Sequence, residues 1–283
     1  SGSFSGSGLS TTFTPGSTGT VQIQAVLTDM NDFNDYTTAT VDFTIQVRTP
    51  FTAALSTDTP HPRKEVSVIL PTEITSATYQ WYINGTAVSG ATGATYTPSN
   101  SDIGKTLSVE VTPDINSQYD TATVAAKNPV EEHSYSDNGF CAVCDEYQPA
   151  ALAGDTYQIG NGGQMFWFAS LVNGDKTHAE FADKNTAAVG VLTSNIDLES
   201  REWSPMMGFN GSFDGQGYAI TKLKITQKSN DIGFFGSSSG TIGGFTLEGD
   251  ITLSGGGANT VGGVVGYANG GTVSQVISAV QIR

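Results

Sequence analysis

Segments in which apolar and polar residues alternate occur throughout the first 126 residues. The clearest are residues 20–27 (TVQIQAVL), 38–47 (TATVDFTIQV) and 77–83 (ATYQWYI). Alternation with a period of two predicts strands that bury one face. In the third segment Tyr79, Trp81 and Ile83 share that face. The Asn84-Gly85 pair that follows is a strong hairpin signal. The pattern therefore predicts a β-sandwich with Trp81 in its core.

The back half has a different pattern, which begins with one helical segment. Met165, Phe168, Ala169 and Val172 recur at the i, i+3, i+4 and i+7 spacing of one helix face. Asn173-Gly174 then supplies a stop signal. We predict a short amphipathic helix over residues 161–173, placed to cap the open end of a stacked β structure.

Glycine-rich turns separate the short apolar segments that follow this helix. Residues 233–236 (GFFG) and 263–266 (GVVG) are 30 positions apart, and each is followed by a turn and then by Thr and an apolar residue. A repeat of this length is typical of solenoids. Each strand is too short to bury its own face, so the coils must stack. Strands are predicted at 196–198, 219–225, 245–247, 251–253 and 273–277.

Two stretches of the front half resemble the bacterial Ig-like repeats of surface proteins. Residues 79–98 (YQWYINGTAVSGATGATYTP) are similar to the strand–turn–strand of that family, and residues 101–111 (SDIGKTLSVEV) to the strand that follows. The resemblance implies an Ig-like domain over 50–126 that acts as a spacer or display module. Residues 1–49 would then form a partial module of the same kind, because two or three strands cannot stand alone.

The back half resembles regions that carry GLUG-type repeats in bacterial surface and secreted proteins. Trp203-Ser204-Pro205, residues 209–220 (FNGSFDGQGYAI), Leu223 and Ile225 are similar to the segment that precedes such repeats. The two G-Φ-Φ-G motifs are similar to the repeat itself. Met206-Met207 departs from the usual Ile-Gly of that segment. The resemblance implies a right-handed parallel β-helix, of a type found in adhesins and in accessory regions of surface peptidases.

The composition and net charge of the chain limit the kinds of molecule that it is expected to bind. Only 14% of the residues are charged and the net charge is −15. An acidic surface repels phosphate backbones, so we expect no nucleic-acid partner. The sequence contains no run of about 18 apolar residues, so we predict no membrane-spanning segment. The sequence opens abruptly at residues 1–4 (SGSF), and residues 280–283 (VQIR) have the pattern of the middle of a strand, so a fragment of a longer, extracellular chain is expected.

A cluster of metal-ligand residue types lies in the segment 127–153, which we predict to be a linker. His133 precedes Cys141 and Cys144, and these are the only two cysteines of the chain. Together they supply three ligands of a zinc knuckle, with Asp145, Glu146 or His61 as sources of a fourth. A local Cys141–Cys144 disulfide and two free thiols are the alternatives. The segment is similar to inserts between modules of Gram-positive surface proteins.

Other acidic residues are weaker candidates for calcium binding or catalysis. Asp29, Asp32 and Asp35 have a spacing loosely like that of a calcium loop, but the glycine and terminal glutamate of an EF-hand are missing. Asp214 is the most plausible catalytic carboxylate, although it lies in a turn motif and has no paired acid one coil away. Asp197, Glu199 and Glu202 cluster near Trp203. The three histidines lie in no catalytic motif.

We therefore expect an all-β chain with Ig-like β-sandwich modules, followed by a right-handed parallel β-helix with a short N-terminal capping helix. The expected function is that of a non-catalytic stalk or adhesion region of a secreted or cell-wall-attached bacterial surface protein. Its partner would be a host surface protein or a glycan, with zinc or calcium as possible ions. A carbohydrate-binding β-helix, or an accessory region of a surface peptidase or polysaccharide-degrading enzyme, is the alternative. The expected boundaries are 1–49, 50–126, 127–153 and 154–283, the last truncated at its C-terminus, in a chain that is monomeric within a longer polypeptide.

Overall fold

A computed structural model describes residues 48–114, 118–179, 184–226, 231–253 and 260–283, together with the backbone of four strands before residue 48. The chain is all-β and contains a β-solenoid of about four turns. It divides into two units, Ser1–Glu132 and His133–Arg283. Asp29, Asp32 and Asp35, the candidates for a calcium loop, lie outside the described residues.

The strands of the first unit pair in antiparallel fashion. They are β1 (Gly2–Ser5), β2 (Thr12–Pro15), β3 (Gly19–Leu27), β4 (Ala39–Val47), β5 (Ala54–Leu55), β6 (Val66–Ile69), β7 (Ala77–Ile83), β8 (Thr86–Ala87), β9 (Thr95–Tyr96), β10 (Leu107–Pro113) and β11 (Ala122–Ala125). β1 pairs with β2, and β3 with β4. A three-stranded sheet has the order β5-β6-β9, and a four-stranded sheet has the order β11-β10-β7-β8.

Trp81 is the central core residue of the first unit, as the alternation in β7 predicts. Its side chain is fully buried, its ring stacks on Tyr96 at a centroid distance of 5.7 Å, and its indole N–H donates to the Gly93 carbonyl over 2.9 Å. The β7–β8 hairpin turns at Asn84 and Gly85, whose φ angles of 48° and 75° are the positive values that this turn requires.

A buried carboxylate organises the turn before β10. A 3₁₀ helix spans Asn100–Asp102. Asp102 Oδ2 accepts hydrogen bonds from the Ser99 backbone N–H (2.9 Å), the Ser99 hydroxyl (2.9 Å) and the Tyr96 hydroxyl (3.1 Å). Burial, together with the Asp102 charge, raises the pKa of Tyr96 to about 12. Asp102 is therefore a structural residue in this chain.

In the part of the second unit that the structure describes there are one helix, α1 (Gly162–Asn173), and ten strands. The strands are β12 (Ala151–Ala153), β13 (Thr156–Ile159), β14 (Val189–Leu192), β15 (Ile196–Asp197), β16 (Ser212–Asp214), β17 (Ala219–Ile225), β18 (Phe235–Ser238), β19 (Thr241–Ile251), β20 (Val265–Ala268) and β21 (Thr272–Ile282). A parallel ladder runs β13-β14-β16-β19-β21. β15 and β17 join the same sheet through β19, and β18 and β20 form a second parallel pair.

The sequence repeat coincides with the stacking of the coils. Phe235 of the first G-Φ-Φ-G motif lies opposite Val265 of the second, and Thr241 lies opposite Thr272. Equivalent residues of successive coils therefore meet in register. One result is a buried aliphatic column in which Ile220 lies between Ile196 and Leu247. The prediction that these coils stack is confirmed.

Helix α1 begins and ends where the sequence predicts. The side chain of Asn161 accepts a hydrogen bond from the Gln164 backbone N–H over 2.9 Å, and Gly174 ends the helix in the left-handed conformation with φ 72°. The prediction that the helix is amphipathic is wrong. Met165 and Phe168 are buried, but so are Phe166 and Leu171 on other faces, because the helix is enclosed by the second unit's core.

Two predicted strands are one in the structure. Residues 245–247 and 251–253 were expected to form separate strands, but β19 runs unbroken to Ile251 and Leu253 lies beyond it. Gly249 has a φ of 152°, and a side chain there would collide with the backbone of Leu223. The pairing of β17 with β19 shifts register between Ile220 and Leu223, which pairs with Gly249, so this glycine marks an irregularity inside the strand and not its end.

Candidate metal centre

The metal-ligand candidates lie in a compact loop that we call the knuckle, residues 133–148. Two isolated antiparallel bridges, Tyr135 to Cys141 and Phe140 to Tyr147, hold its two arms together. The C-x-x-C segment is a tight turn in which the Asp145 N–H donates to the Cys141 carbonyl over 2.9 Å. The Cys141 N–H donates to the Glu146 carbonyl at the same distance.

The three predicted ligands are brought together at this turn. The ligating atoms of His133, Cys141 and Cys144 lie within 4.8 Å of one another, and Cys144 Sγ is 3.4 Å from His133 Nδ1. Cys141 is buried, while His133 and Cys144 are half-buried. Cys141 and Cys144 are not joined by a disulfide in the structure. Two sulfurs and one imidazole nitrogen form a donor set that suits zinc and not calcium.

The electrostatics of the turn indicate a resting thiol when no metal is bound. Burial raises the pKa of Cys144 to about 11, although a hydrogen bond from the Glu146 backbone acts in the opposite direction. Burial also raises the pKa of Tyr135 to about 12, with the charge of Glu146 adding to the effect. A thiol with a raised pKa is a poorer nucleophile at neutral pH, so burial lowers the reactivity of Cys144.

No protein-family model matches this chain, and no curated protein or solved structure matches it either.

The knuckle packs on the rest of the second unit through contacts that no local sequence pattern reveals. The Asn138 side chain accepts from the Gly162 N–H and donates to the Asp197 carbonyl, each over 3.0 Å. The Gly163 N–H donates to the Asn138 carbonyl over 2.8 Å. The segment predicted as a linker is thus fixed to the start of α1 over much of its length.

Arg201 fixes the other side of the knuckle. Its guanidinium makes two hydrogen bonds to Asp145, of 2.8 and 2.9 Å, and lies 3.8 Å from the centre of the Phe140 ring. Phe140 in turn packs edge-on against Phe166 of α1 and belongs to the main core of the second unit. The contacts of Arg201 with Asp145 and Phe140 join residues 56 or more positions apart, which is why spacing in the sequence does not predict them.

The carboxylates that the sequence singled out for catalysis have structural partners. Asp214 Oδ1 accepts from the Gln216 N–H over 2.9 Å, which closes the turn after β16. Asp197 accepts from the Glu199 N–H (2.7 Å) and from Lys222 (2.6 Å). Glu202 accepts hydrogen bonds from the N–H and hydroxyl of Thr226. These contacts favour turn formation and coil-to-coil bonding over catalysis.

His61, which the sequence also offered as a metal ligand, belongs to the first unit. There it is buried, and its Nδ1 lies 2.7 Å from the Pro62 carbonyl oxygen. Among the residues that the structure describes, no helix has the length and apolar character needed to cross a membrane.

Proposed function

We propose that this chain is a non-catalytic stalk or adhesion region of a secreted or cell-wall-attached bacterial surface protein. In this proposal residues 50–126 are an Ig-like sandwich and the second unit is a right-handed β-helix with GLUG-like repeats. Helix α1 would cover the core at the first coil. A host surface protein or a glycan would be the partner, if the region binds one.

The main support for the proposal is the parallel strand pairing between successive coils of the second unit. Its parallel strands are bonded in register from β13 to β21, and buried columns such as Ile196, Ile220 and Leu247 continue from coil to coil. Each added coil extends such a structure by about 4.8 Å while contacting only its neighbours. This construction suits a spacer or a long display surface.

The hydrogen bonds made by the candidate carboxylates support the proposal that the region is not catalytic. Asp214, the strongest catalytic candidate, holds its own turn, and Asp197 and Glu202 bond to the following coil. A catalytic pair in a β-helix needs two acids directed at one substrate bond. Asp214 instead uses both oxygens to bind Gln216.

A carbohydrate-binding solenoid is the second candidate, and one surface feature favours it. A groove of about 750 Å³ lies along β17 and β19 and is lined by charged and hydroxyl groups. They include Lys222, Lys224, Glu248, Asp250 and Thr221. Groups of this kind can hydrogen-bond a sugar chain. Among the described residues that line this groove there is no aromatic ring on which a sugar could stack, which favours the stalk.

The test is an assay of the intact chain against a panel of bacterial wall glycans, host glycosaminoglycans and plant pectins. We expect no new reducing ends above those of a heat-denatured sample. Turnover that disappears in the Asp214→Asn variant would contradict the proposal and identify an enzyme.

Binding arrays of glycans and of extracellular matrix proteins distinguish a carbohydrate-binding solenoid, an adhesion region and a pure spacer. Glycan binding that is lost in a Lys222→Ala/Lys224→Ala variant would favour the second candidate. Matrix-protein binding that the same variant retains would support an adhesion region. The absence of binding on both arrays would support a pure spacer.

A further inference from the structure

We propose that His133, Cys141 and Cys144 form a structural zinc site that fastens the two arms of the knuckle to each other. The proposal is independent of the stalk function, because it concerns the stability of the second unit and would hold for any activity of the chain.

The spacing of the ligand atoms fits a tetrahedral zinc ion. Zinc–sulfur bonds of about 2.3 Å and zinc–nitrogen bonds of about 2.0 Å place the two ligand atoms about 3.6 Å apart at the tetrahedral angle. Cys144 Sγ and His133 Nδ1 are 3.4 Å apart, and Cys141 Sγ lies within 4.8 Å of both. The ligands therefore need little rearrangement to bind the ion.

The C-x-x-C turn has a shape that suits metal thiolates. Asp145 adopts a positive φ of 63° directly after Cys144, and the Cys141 N–H donates to the Glu146 carbonyl over 2.9 Å, so the chain folds back at this turn. On zinc binding each cysteine would release its thiol proton to solvent and form one zinc–sulfur bond, while His133 would donate its Nδ1 lone pair.

The knuckle also needs a fastening of this kind. Its regular structure consists of two isolated bridges, and Phe140 is its main contribution to the core of the second unit. Asn138 and Arg201 hold the tip of the loop and the far side of the turn. The arm that carries His133 is joined to the turn by the Tyr135–Cys141 bridge and by the contact of His133 with Cys144. Small segments with so little core commonly depend on a metal or a disulfide.

A closed structural zinc site takes a fourth ligand in addition to these three. The sequence offers Asp145, Glu146 and His61. The Asp145 carboxylate is already engaged by Arg201 through two hydrogen bonds. Single Asp145→Asn, Glu146→Gln and His61→Gln variants therefore belong in the experiment, and one of them should lose tetrahedral coordination.

The experiment measures metal binding by the reduced, intact chain. We expect one zinc per chain by elemental analysis. Replacement by Co²⁺ should give thiolate-to-cobalt charge-transfer absorption and the intense d–d bands of a tetrahedral site. Removing a direct ligand in Cys144→Ser or His133→Ala should weaken Co²⁺ binding at least about a hundredfold, because outer-shell changes alone cost about 10–100-fold. His178→Gln, which alters a histidine beside Tyr147, is the matched control and should bind normally.

Chelation of the wild-type protein provides a readout that does not depend on how well the variants fold. Removing zinc should increase hydrogen exchange in residues 133–148 and leave β16, β19 and β21 protected. The proposal would be overturned by weak octahedral cobalt bands, by a cobalt spectrum unchanged in Cys144→Ser, or by tetrahedral bands that survive all three fourth-ligand variants. A Cys141–Cys144 disulfide in freshly isolated protein would also overturn it.

Discussion

Replacing Trp203 with alanine is expected to lower the free energy of unfolding of the second unit by about 3–5 kcal/mol. The Trp203 side chain is fully buried and lies flat on Phe234, with ring centroids 4.5 Å apart and an interplanar angle of 7°. Its indole N–H donates to the Phe234 carbonyl over 2.9 Å, and its edge meets Phe166 of α1 at 5.1 Å. The substitution removes contacts with both the helix and the next coil.

Calorimetry of the two units provides the measurement. For a unit of this size the loss corresponds to a fall in melting temperature on the order of 10 °C. Trp81→Ala is the matched control, because Trp81 is equally buried but lies in the first unit. It should lower the transition of the first unit and leave that of the second in place. A loss below about 1 kcal/mol in Trp203→Ala would show that the Trp203–Phe234 stack does not form.

Gly163→Ala should destabilise the second unit by about 1–3 kcal/mol, even though alanine is the better helix former. Gly163 lies in the first turn of α1, and an alanine methyl group there would overlap the carbonyl of Gly139 in the knuckle. In a helix with free space at this position, the same change would add up to about 1 kcal/mol of stability. The sign of the effect therefore reports whether the knuckle is docked.

Denaturant unfolding and hydrogen exchange of residues 133–148 check this prediction. Gly93→Ala is a suitable control, because its added methyl group would meet nothing closer than 3.5 Å and its φ is not positive. It should change stability by less than about 0.5 kcal/mol. A stabilised Gly163→Ala protein would mean that the knuckle does not contact α1.

Local patterns predicted the elements of the second unit well. The stop signal at Gly174 and the end of α1 agree, and β17 has the predicted bounds, Ala219–Ile225. Both depend on neighbours in sequence: a glycine that accepts a left-handed conformation, and apolar residues at strand spacing. The 30-residue offset between the G-Φ-Φ-G motifs also predicted that coils stack, and in the structure Phe235 of one motif lies opposite Val265 of the other.

The environment of those elements was harder to predict. The spacing of Met165, Phe168, Ala169 and Val172 indicated one buried face, yet α1 is buried on nearly all sides because the knuckle and the first coils surround it. The candidate ligands were identified from residue type and spacing alone. Their supports, Asn138 and Arg201, act across 24 to 59 positions of sequence, so no short window contains both partners.

The most direct test of the stacked-coil architecture is a pair of engineered cysteine variants, with disulfides mapped by peptide mass spectrometry. Thr241 and Thr272 lie directly opposite each other on neighbouring coils, and both are exposed. Thr241→Cys/Thr272→Cys should form an intramolecular disulfide on mild oxidation. Thr241→Cys/Ser274→Cys should not, because a shift of two residues places the Cα atoms about 8 Å apart. Equal cross-linking of both pairs, or cross-linking of only the shifted pair, would contradict the in-register stacking on which the account depends.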